Sequence, residues 1–308
     1  MYLGAHIGIA AGLAEVPAQA RRIGGQALQI FSKSPQMWNG PAIPDDAAAA
    51  FRANVRAEGI RATAVHHGYL ANLASPKTAM LARSRAAFVE EIRRAEKLGV
   101  DGLIFHPGAH LDSGASEGVR VLVESLTRAF AEVAEGRVRV LLENAAGQGT
   151  AMGTTFAELA EVIDRVGARD RTGVALDTCH LFASGVDFRT PSTYGATMDR
   201  LEANLGRASV YAFHLNDAKL PLGSRRDRHE NIGAGEIGTE GFRPLVNDPV
   251  WSKVPGYLET PLDDQGYAKY EQDLRTLRSL LTDGPTPPAT GRPARAARSR
   301  RASGPTPK

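Results

Sequence analysis

The amino-acid sequence predicts an α/β fold, a single (β/α)8 TIM barrel followed by a disordered basic C-terminal tail. Short apolar strands alternate with segments of helical periodicity along residues 1–283, and the unit recurs about every 30–45 residues. Eight such units are the number that closes a parallel barrel. A doubly wound open sheet is the alternative fold. It is disfavoured because the first strand–helix turn lacks a G-x-G-x-x-G phosphate-binding pattern.

The strands are predicted from short runs rich in apolar and β-branched residues. They are 2–9, 27–32, 62–67, 102–107, 138–144, 172–177, 210–216 and 256–260. Between them, apolar residues at helical spacing predict helices, of which the clearest are 45–58, 76–98, 116–135, 154–166, 191–206 and 264–281. Gly59, Gly99, Gly136 and Gly167 follow four of these segments, which is typical of the residue that ends a helix.

The charge is unevenly distributed along the chain. Residues 284–308 carry six basic residues and no acidic one, so the formal net charge of +3 becomes −3 for residues 1–283, with 31 basic against 34 acidic side chains. The segment has no aliphatic residue larger than alanine and cannot bury enough apolar surface to fold. We therefore divide the chain into a barrel, 1–283, and a tail, 284–308. The tail could bind polyanions or only aid solubility.

Composition also limits the cellular setting. No apolar run reaches the ~18 residues that a transmembrane helix needs. The first residues, MYLGAHIGIAAGL, lack a basic leader and are expected to form a strand. The only cysteine, Cys179, cannot form an internal disulfide, which suits a reducing compartment. We expect a cytoplasmic protein without a membrane partner.

Six consecutive predicted strands end in a histidine or a carboxylate. These residues are His66, His106, Glu143, Asp177 with His180 one turn later, His214, and Glu259; a long loop after the seventh strand adds Asp227 and His229. Any one of them alone is more often a structural residue or a helix cap. Barrel strands, however, bring their carboxyl ends to one rim. Several carboxylates on one rim repel each other unless cations lie between them, and a His/Asp/Glu set without cysteine favours Zn²⁺ or Mn²⁺. Nine donors suit about three ions.

The same segments resemble the endonuclease IV family of apurinic/apyrimidinic-site endonucleases. The resemblance extends from residue 4 to residue 264 and rests on seven motifs in order: VHHGYLANL (65–73), IFHPGAHL (104–111), LLENAAGQGT (141–150), DTCHLFASGVD (177–187), HLNDAK (214–219), DRHENIGAGEIG (227–238) and LET (258–260). It implies a zinc-dependent deoxyribonuclease that hydrolyses the phosphodiester bond 5′ to an abasic site in duplex DNA. The products are a 3′-hydroxyl and a 5′-deoxyribose phosphate. It also implies a monomer.

The resemblance implies three Zn²⁺ ions, with Mn²⁺ possible at one or more positions. His66 and His106 would hold the first ion and share Glu143 with the second. Glu143, Asp177, His214 and Glu259 would hold the second, and His180, Asp227 and His229 the third. Glu143 and Glu259 are the carboxylates on which we expect catalysis to depend most. Cys179 is expected to be a buried neighbour without a ligand role, because alternation turns its side chain away from those of its flanking residues.

Three residues match DNA-contacting positions of the family. Tyr69 and Leu70 correspond to a pair that enters the duplex at the abasic site, where stacking is already lost. Gln36 stands in SPQMW (34–38), where many relatives carry arginine. Glutamine can fill the gap but lacks the charge and the stacking plane of arginine, which favours weaker DNA affinity.

Two other functions are compatible with parts of the pattern. A metal-dependent sugar isomerase or epimerase of the same barrel superfamily would also place His, Asp and Glu at strand ends. It needs one or two ions, so Asp227 and His229 would be superfluous. A non-catalytic binder of damaged DNA would be expected to lack a ligand, and none of the nine is missing.

Overall fold

The computed structural model describes residues 1–264 and 266–282. The barrel strands are β1 (Tyr2–His6), β2 (Ala27–Phe31), β3 (Ala62–His66), β4 (Gly102–Phe105), β5 (Arg139–Glu143), β6 (Thr172–Asp177), β7 (Val210–His214) and β10 (Pro255–Leu258). These eight parallel strands close a barrel in the order β1-β10-β7-β6-β5-β4-β3-β2. The predicted (β/α)8 barrel is confirmed, and the open sheet is excluded by the pairing of β1 with β10.

Nine α-helices are found in the described residues. They are α1 (Val16–Arg22), α2 (Asp45–Ala57), α3 (Thr78–Leu98), α4 (Ala115–Glu132), α5 (Phe156–Val166), α6 (Thr178–Ala183), α7 (Pro191–Asn204), α8 (Arg243–Asn247) and α9 (Ala268–Ser279). Among these residues, no helix has both the length and the apolar character required to cross a bilayer. The predicted tail, 284–308, lies outside the described residues.

Local chemistry accounts for several helix ends. Thr155 caps α5 by accepting a hydrogen bond from the backbone N–H of Glu158 at 3.2 Å. Gly99 and Gly167 end α3 and α5 in the left-handed region, at φ 66° and 73°. The prediction for Gly136 was wrong: α4 ends at Glu132 and is capped by Val133 in a non-helical conformation. Gly136 instead lies in the turn that leads into β5.

The core has two layers. A large apolar cluster fills the space between the strands and the outer helices, with Phe51, Phe88 and Phe213 among its fully buried members. A smaller cluster lies inside the barrel and consists mainly of alanines together with Ile104, Leu141 and Tyr257. Most predicted strands overran their observed ends by one to three residues. The residues between the observed and the predicted strand ends belong to the loops of the rim, where the backbone leaves the hydrogen-bonded sheet.

A two-stranded antiparallel ladder, which the sequence did not predict, shapes the loop after β7. It pairs β8 (Asp217–Ala218) with β9 (His229–Glu230). The buried carboxylate of Asp217 accepts hydrogen bonds from the backbone N–H groups of Gly233, Gly235, Ile237 and Gly238 at 2.9–3.4 Å. One buried carboxylate therefore fixes a glycine-rich loop next to the rim.

Candidate metal centre

The nine predicted donors lie on one rim of the barrel. His66, Glu143, Asp177 and His214 are the last residues of β3, β5, β6 and β7. The others are His106 and Glu259, which follow β4 and β10, His180 on α6, Asp227 on the loop before β9, and His229 at the start of β9. Asp177 also caps α6, because its Oδ1 accepts the backbone N–H of His180 at 2.8 Å. One carboxylate thus both faces the rim and orients the helical turn that carries another donor.

Among the described residues, five overlapping groups of potential ligand atoms lie within 4.8 Å of one another. Two of them, His66 with His214 and Glu259 and Asp177 with Cys179 and His229, combine donors expected at different ions. The other three are His66, His106 and Glu143; Glu143, Asp177, His214 and Glu259; and His180, Asp227 and His229. Glu143 belongs to the first two of these three. These three sets coincide with the expected ones, and their role as ligands stays a prediction.

Glu143 lies at the centre of the cluster and is fully buried. Its Oε2 lies 3.0 Å from His66 Nε2 and 3.4 Å from His106 Nδ1. Its Oε1 lies 2.9 Å from His214 Nδ1 and 3.4 Å from His180 Nδ1. Each carboxylate oxygen therefore faces a different pair of imidazoles, as expected of a bridging ligand.

The third group depends on the loop after β7. Asp227 Oδ2 lies 3.2 Å from His180 Nε2, and its Oδ1 lies 3.1 Å from His229 Nε2. The side chain of Gln148 accepts the backbone N–H of Asp227 and ties the loop to the segment after β5. His214 and the Asp227–His229 pair are close in sequence but belong to different groups.

Charge compensation inside the cluster is strong. Burial opposes protonation of His214, yet Glu259 and Glu143 raise its pKa to about 9. Burial likewise opposes protonation of His229, while Asp177 and Asp227 raise its pKa to about 9. Burial would raise the pKa of Glu143, but His106 and His214 hold it well below the usual range. The carboxylates thus require positive charge beside them, which protons or metal cations can supply.

The donor set fits divalent cations. The Nε2 atoms of His180 and His229 are buried, and in the described part of the chain each faces the Asp227 carboxylate, at 3.2 and 3.1 Å, without the geometry of a hydrogen bond. A buried imidazole nitrogen without a partner is costly unless it binds an ion or water. Imidazole and carboxylate ligands without an essential thiolate are typical of Zn²⁺ and Mn²⁺ sites.

Gln29 is a site residue that the sequence analysis missed. It is fully buried in β2. Its Oε1 lies 2.9 Å from His214 Nε2, and its Nε2 donates to Glu259 Oε1 at 2.6 Å. It therefore directs Nδ1 of His214 and a carboxylate oxygen of Glu259 toward the cluster. A polar residue inside the apolar strand ALQIF was the signal that could have found it.

Cys179 is closer to the centre than expected. It lies on α6 rather than on a strand, so strand alternation does not apply to it. Its Sγ lies within 4.8 Å of donor atoms of Asp177 and His229. Burial raises the pKa of its thiol, and Sγ donates to the carbonyl of Arg228 at 3.5 Å. The reason given for excluding it was wrong, and its absence from the ligand set stays a prediction.

Of the three predicted DNA-contacting residues, Tyr69 and Leu70 line a groove that also contains donors of the cluster. Tyr69 is 60% exposed, Leu70 is half-buried, and Gln36 is exposed on the loop after β2. Two grooves, of about 350 and 310 Å³, open beside the donors, and Tyr69 and His106 line both. An exposed aromatic side chain thus stands between two grooves that lead to the donors.

The loop that carries Gln36 rests on a buried polar network. Arg94 of α3 donates from Nε to Ser32 Oγ at 2.6 Å and from Nη1 to the carbonyl of Pro41 at 2.7 Å. Lys33 forms an ion pair with Glu91, and both are buried. Both ends of residues 32–41 are therefore fixed to α3.

Comparisons with known proteins agree with this geometry. Residues 17–280 match the family model of xylose isomerase-like TIM barrels. A probable endonuclease 4 of Chloroflexus aggregans is 42% identical over 278 residues, covering 90% of this chain and 97% of the relative.

Two solved structures place the chain among these barrels. Endonuclease IV from Thermus thermophilus superposes with a TM-score of 0.80 at 32% identity, over 91% of this chain and 98% of that one. D-psicose 3-epimerase from Clostridium cellulolyticum gives a TM-score of 0.66 at 17% identity, over 91% and 99%, and shares the fold alone. With a relative at 42% identity along nearly its whole length, the chain belongs to the endonuclease IV family of xylose isomerase-like TIM barrels.

Proposed function

We propose that this protein is an apurinic/apyrimidinic-site endonuclease that hydrolyses the phosphodiester bond 5′ to an abasic site in duplex DNA, leaving a 3′-hydroxyl and a 5′-deoxyribose phosphate. The observation that carries the proposal is the third donor group, His180, Asp227 and His229, beside the two groups that share Glu143. The names of the relatives support DNA cleavage. We further propose that the enzyme acts as a monomer.

The chain would hold three Zn²⁺ ions, with Mn²⁺ acceptable at one or more positions. His66, His106 and Glu143 would hold the first, Glu143, Asp177, His214 and Glu259 the second, and His180, Asp227 and His229 the third. Such ions supply Lewis-acid activation of water and neutralise charge on a reacting phosphate. Glu143 would keep two positions at a fixed separation, and Gln29 would fix the tautomer of His214.

Side chains around the cluster would bind the damaged strand. Tyr69 is exposed between two grooves, where its ring can occupy the space of the missing base. The apolar side chain of Leu70, which lines one of these grooves, would pack beside the Tyr69 ring. Gln36 can donate and accept hydrogen bonds but brings no positive charge to the phosphates, so binding depends on other cations.

A sugar isomerase or epimerase is the second candidate, since barrels of that kind share the fold. It gives no role to Asp227 and His229, whose carboxylate and imidazole lie 3.1 Å apart and complete the third group. Assays of ketose and aldose interconversion on the zinc-loaded protein would detect it.

A nicking assay tests the proposal. The substrate is a labelled duplex with one tetrahydrofuran abasic analogue, which cannot undergo β-elimination. We expect chelator-sensitive incision 5′ to the analogue and a 3′-end that a polymerase extends. Glu259→Gln should retain DNA binding while turnover falls by orders of magnitude. Glu271→Gln, on the outer side of α9 with its side chain 38% exposed, is the matched control.

The outcomes separate the candidates. Absence of incision by protein shown to contain zinc would refute the endonuclease proposal and favour the isomerase. Binding of the abasic duplex without turnover, in the unsubstituted protein as in Glu259→Gln, would indicate a non-catalytic binder. Incision that survives complete metal removal would refute metal dependence.

A further inference from the structure

A separate cavity of about 280 Å³ opens at the opposite end of the barrel, where the strands begin. Its inner wall includes Ala62, Ala64, Ala212 and Leu141. Barrel interiors are commonly filled by layers of valine, isoleucine and leucine. Three alanines in this layer leave the barrel hollow at its amino end, and the metal centre uses none of these residues.

The mouth of the cavity is positively charged. Arg61, Arg139 and Lys253 line it. Arg139 donates to the carbonyls of Arg169 and Thr172 at 3.1 and 3.2 Å, and its guanidinium lies 3.9 Å from the centre of the Tyr211 ring. No ion pair is found for the three cations within residues 1–264 and 266–282. Three positive charges at one opening attract an anion, and an arginine held over an aromatic ring presents its free edge for one.

One carboxylate, Asp101, also lines the cavity but is engaged elsewhere. Its Oδ2 accepts the backbone N–H of Thr63 at 2.7 Å and the Thr63 hydroxyl at 2.9 Å. It fixes the start of β3, and its single negative charge offsets one of the three positive charges at the mouth. The net charge of the lining side chains remains positive.

Tyr257 forms the floor of the cavity. The residue is 1% exposed and packs in the alanine-rich cluster inside the barrel. Its hydroxyl makes no hydrogen bond to another described residue and is not one of the fully buried polar atoms, so a ligand in the cavity can reach it. Its ring lies 6.4 Å from that of His214, so it separates the cavity from the metal centre.

We propose that this cavity binds a small organic anion with an apolar body of about one ring. The anionic group would lie at Arg61, Arg139 and Lys253. The ring would pack on the alanines, and an oxygen at its other end would accept a hydrogen bond from the Tyr257 hydroxyl. The site is independent of the proposed nuclease activity.

Isothermal titration calorimetry of the full, zinc-loaded chain tests the proposed anion binding. The probe is 4-hydroxybenzoate, and the uncharged control is 4-hydroxybenzamide, which has the same ring but no anionic group. We expect the benzoate to bind at millimolar concentrations and the amide to bind much more weakly. Arg61→Ala/Lys253→Ala should weaken benzoate binding about tenfold or more, since charge-assisted hydrogen bonds are lost. Both residues are exposed, so the fold should not change.

Tyr257→Phe should weaken binding about three- to tenfold through the lost hydrogen bond. The control, Arg93→Ala/Arg128→Ala, removes two exposed arginines from α3 and α4. It should leave the Kd of the benzoate unchanged. This control also detects a general response to net charge.

Three results would overturn the proposal. One is the absence of binding at millimolar benzoate, and another is equal binding of the amide. The third is a Kd that Arg61→Ala/Lys253→Ala or Tyr257→Phe leaves unchanged, because the anion would then bind elsewhere, such as at the metal centre.

Discussion

At the scale of single residues, Gln29 connects two donors that are 45 residues apart in sequence, His214 and Glu259. It contacts Nε2 of the imidazole and donates to Oε1 of the carboxylate. We predict that Gln29→Met lowers zinc affinity about 10- to 100-fold, because residues that orient metal ligands typically contribute that much. Competition with a chromophoric chelator measures this.

Gln26→Met is the matched control for Gln29→Met. Gln26 is exposed and immediately precedes the same strand. Equal zinc affinity of the two variants would show that Gln29 does not orient the donors.

Asp217 acts through one loop. Its carboxylate accepts four backbone N–H groups of residues 233–238 and is fully buried. We predict that Asp217→Asn destabilises the protein by about 2–3 kcal/mol, since hydrogen bonds to a charged group are lost and an amide N–H₂ faces donors. Urea unfolding measures the free energy. Asp199→Asn, an exposed change on α7, should stay within about 0.5 kcal/mol of the unsubstituted protein.

At the scale of elements, helix α3 supports the loop 32–41 through Arg94. The guanidinium contacts Ser32 at one end of the loop and Pro41 at the other. We predict that Arg94→Met raises KM for abasic DNA more than it lowers kcat, because the loop that carries Gln36 loses its fixed position while the donors keep theirs. Steady-state nicking kinetics separate the two constants.

Arg93→Met controls for the loss of a cation on the same helix, since the Arg93 side chain is 59% exposed. A fall in kcat alone in Arg94→Met would place the effect at the donors instead. An effect of similar size in Arg93→Met would indicate a general loss of positive charge.

The elements differ in how well the sequence predicts them. All eight barrel strands were predicted because their apolar runs are bounded by helices with clear periodicity. The ladder of Asp217–Ala218 with His229–Glu230 was not, because two-residue strands leave no periodic pattern. Helix α6 was missed for a related reason: six buried residues in one short helix show no amphipathic alternation.

The donors were predictable for a topological reason. Parallel strands bring residues such as His66 and Glu259 to one rim whatever their separation in sequence. Gln29 was missed because an amide is not a ligand type, and its role depends on the rotamers of two partners. The cavity at the amino ends of the strands was missed because it results from several small alanine side chains, which come together only when the barrel closes.

At the scale of the whole molecule, the cluster exchanges protons for metal ions. In the ion-free protein the pKa values of His214 and His229 are about 9, so both rings are protonated near neutral pH. Zn²⁺ ions at the second and third positions, which include these two rings, must displace these protons. We predict that zinc loading at about pH 7.5 releases about two protons or more per chain, and that the release declines as pH rises through 9.

Titration calorimetry of zinc binding in two buffers of different protonation enthalpy counts the protons released. Identical heats in the two buffers would mean that the rings are already neutral, which would contradict the ion pairs with Glu143 and Asp227. The double variant His214→Gln/His229→Gln lacks both imidazole rings, so it should release fewer protons on zinc binding than the unsubstituted protein.

The closure of β1 on β10 has a consequence for how the protein is made. Residues 255–258 complete the barrel and residue 259 is the last donor, so a growing chain shorter than this has neither a closed sheet nor a complete second ion position. Until that point the edges of β1 and β7 are unpaired and open to association with other chains. Assembly of the metal centre therefore requires that residues 255–259 have left the ribosome.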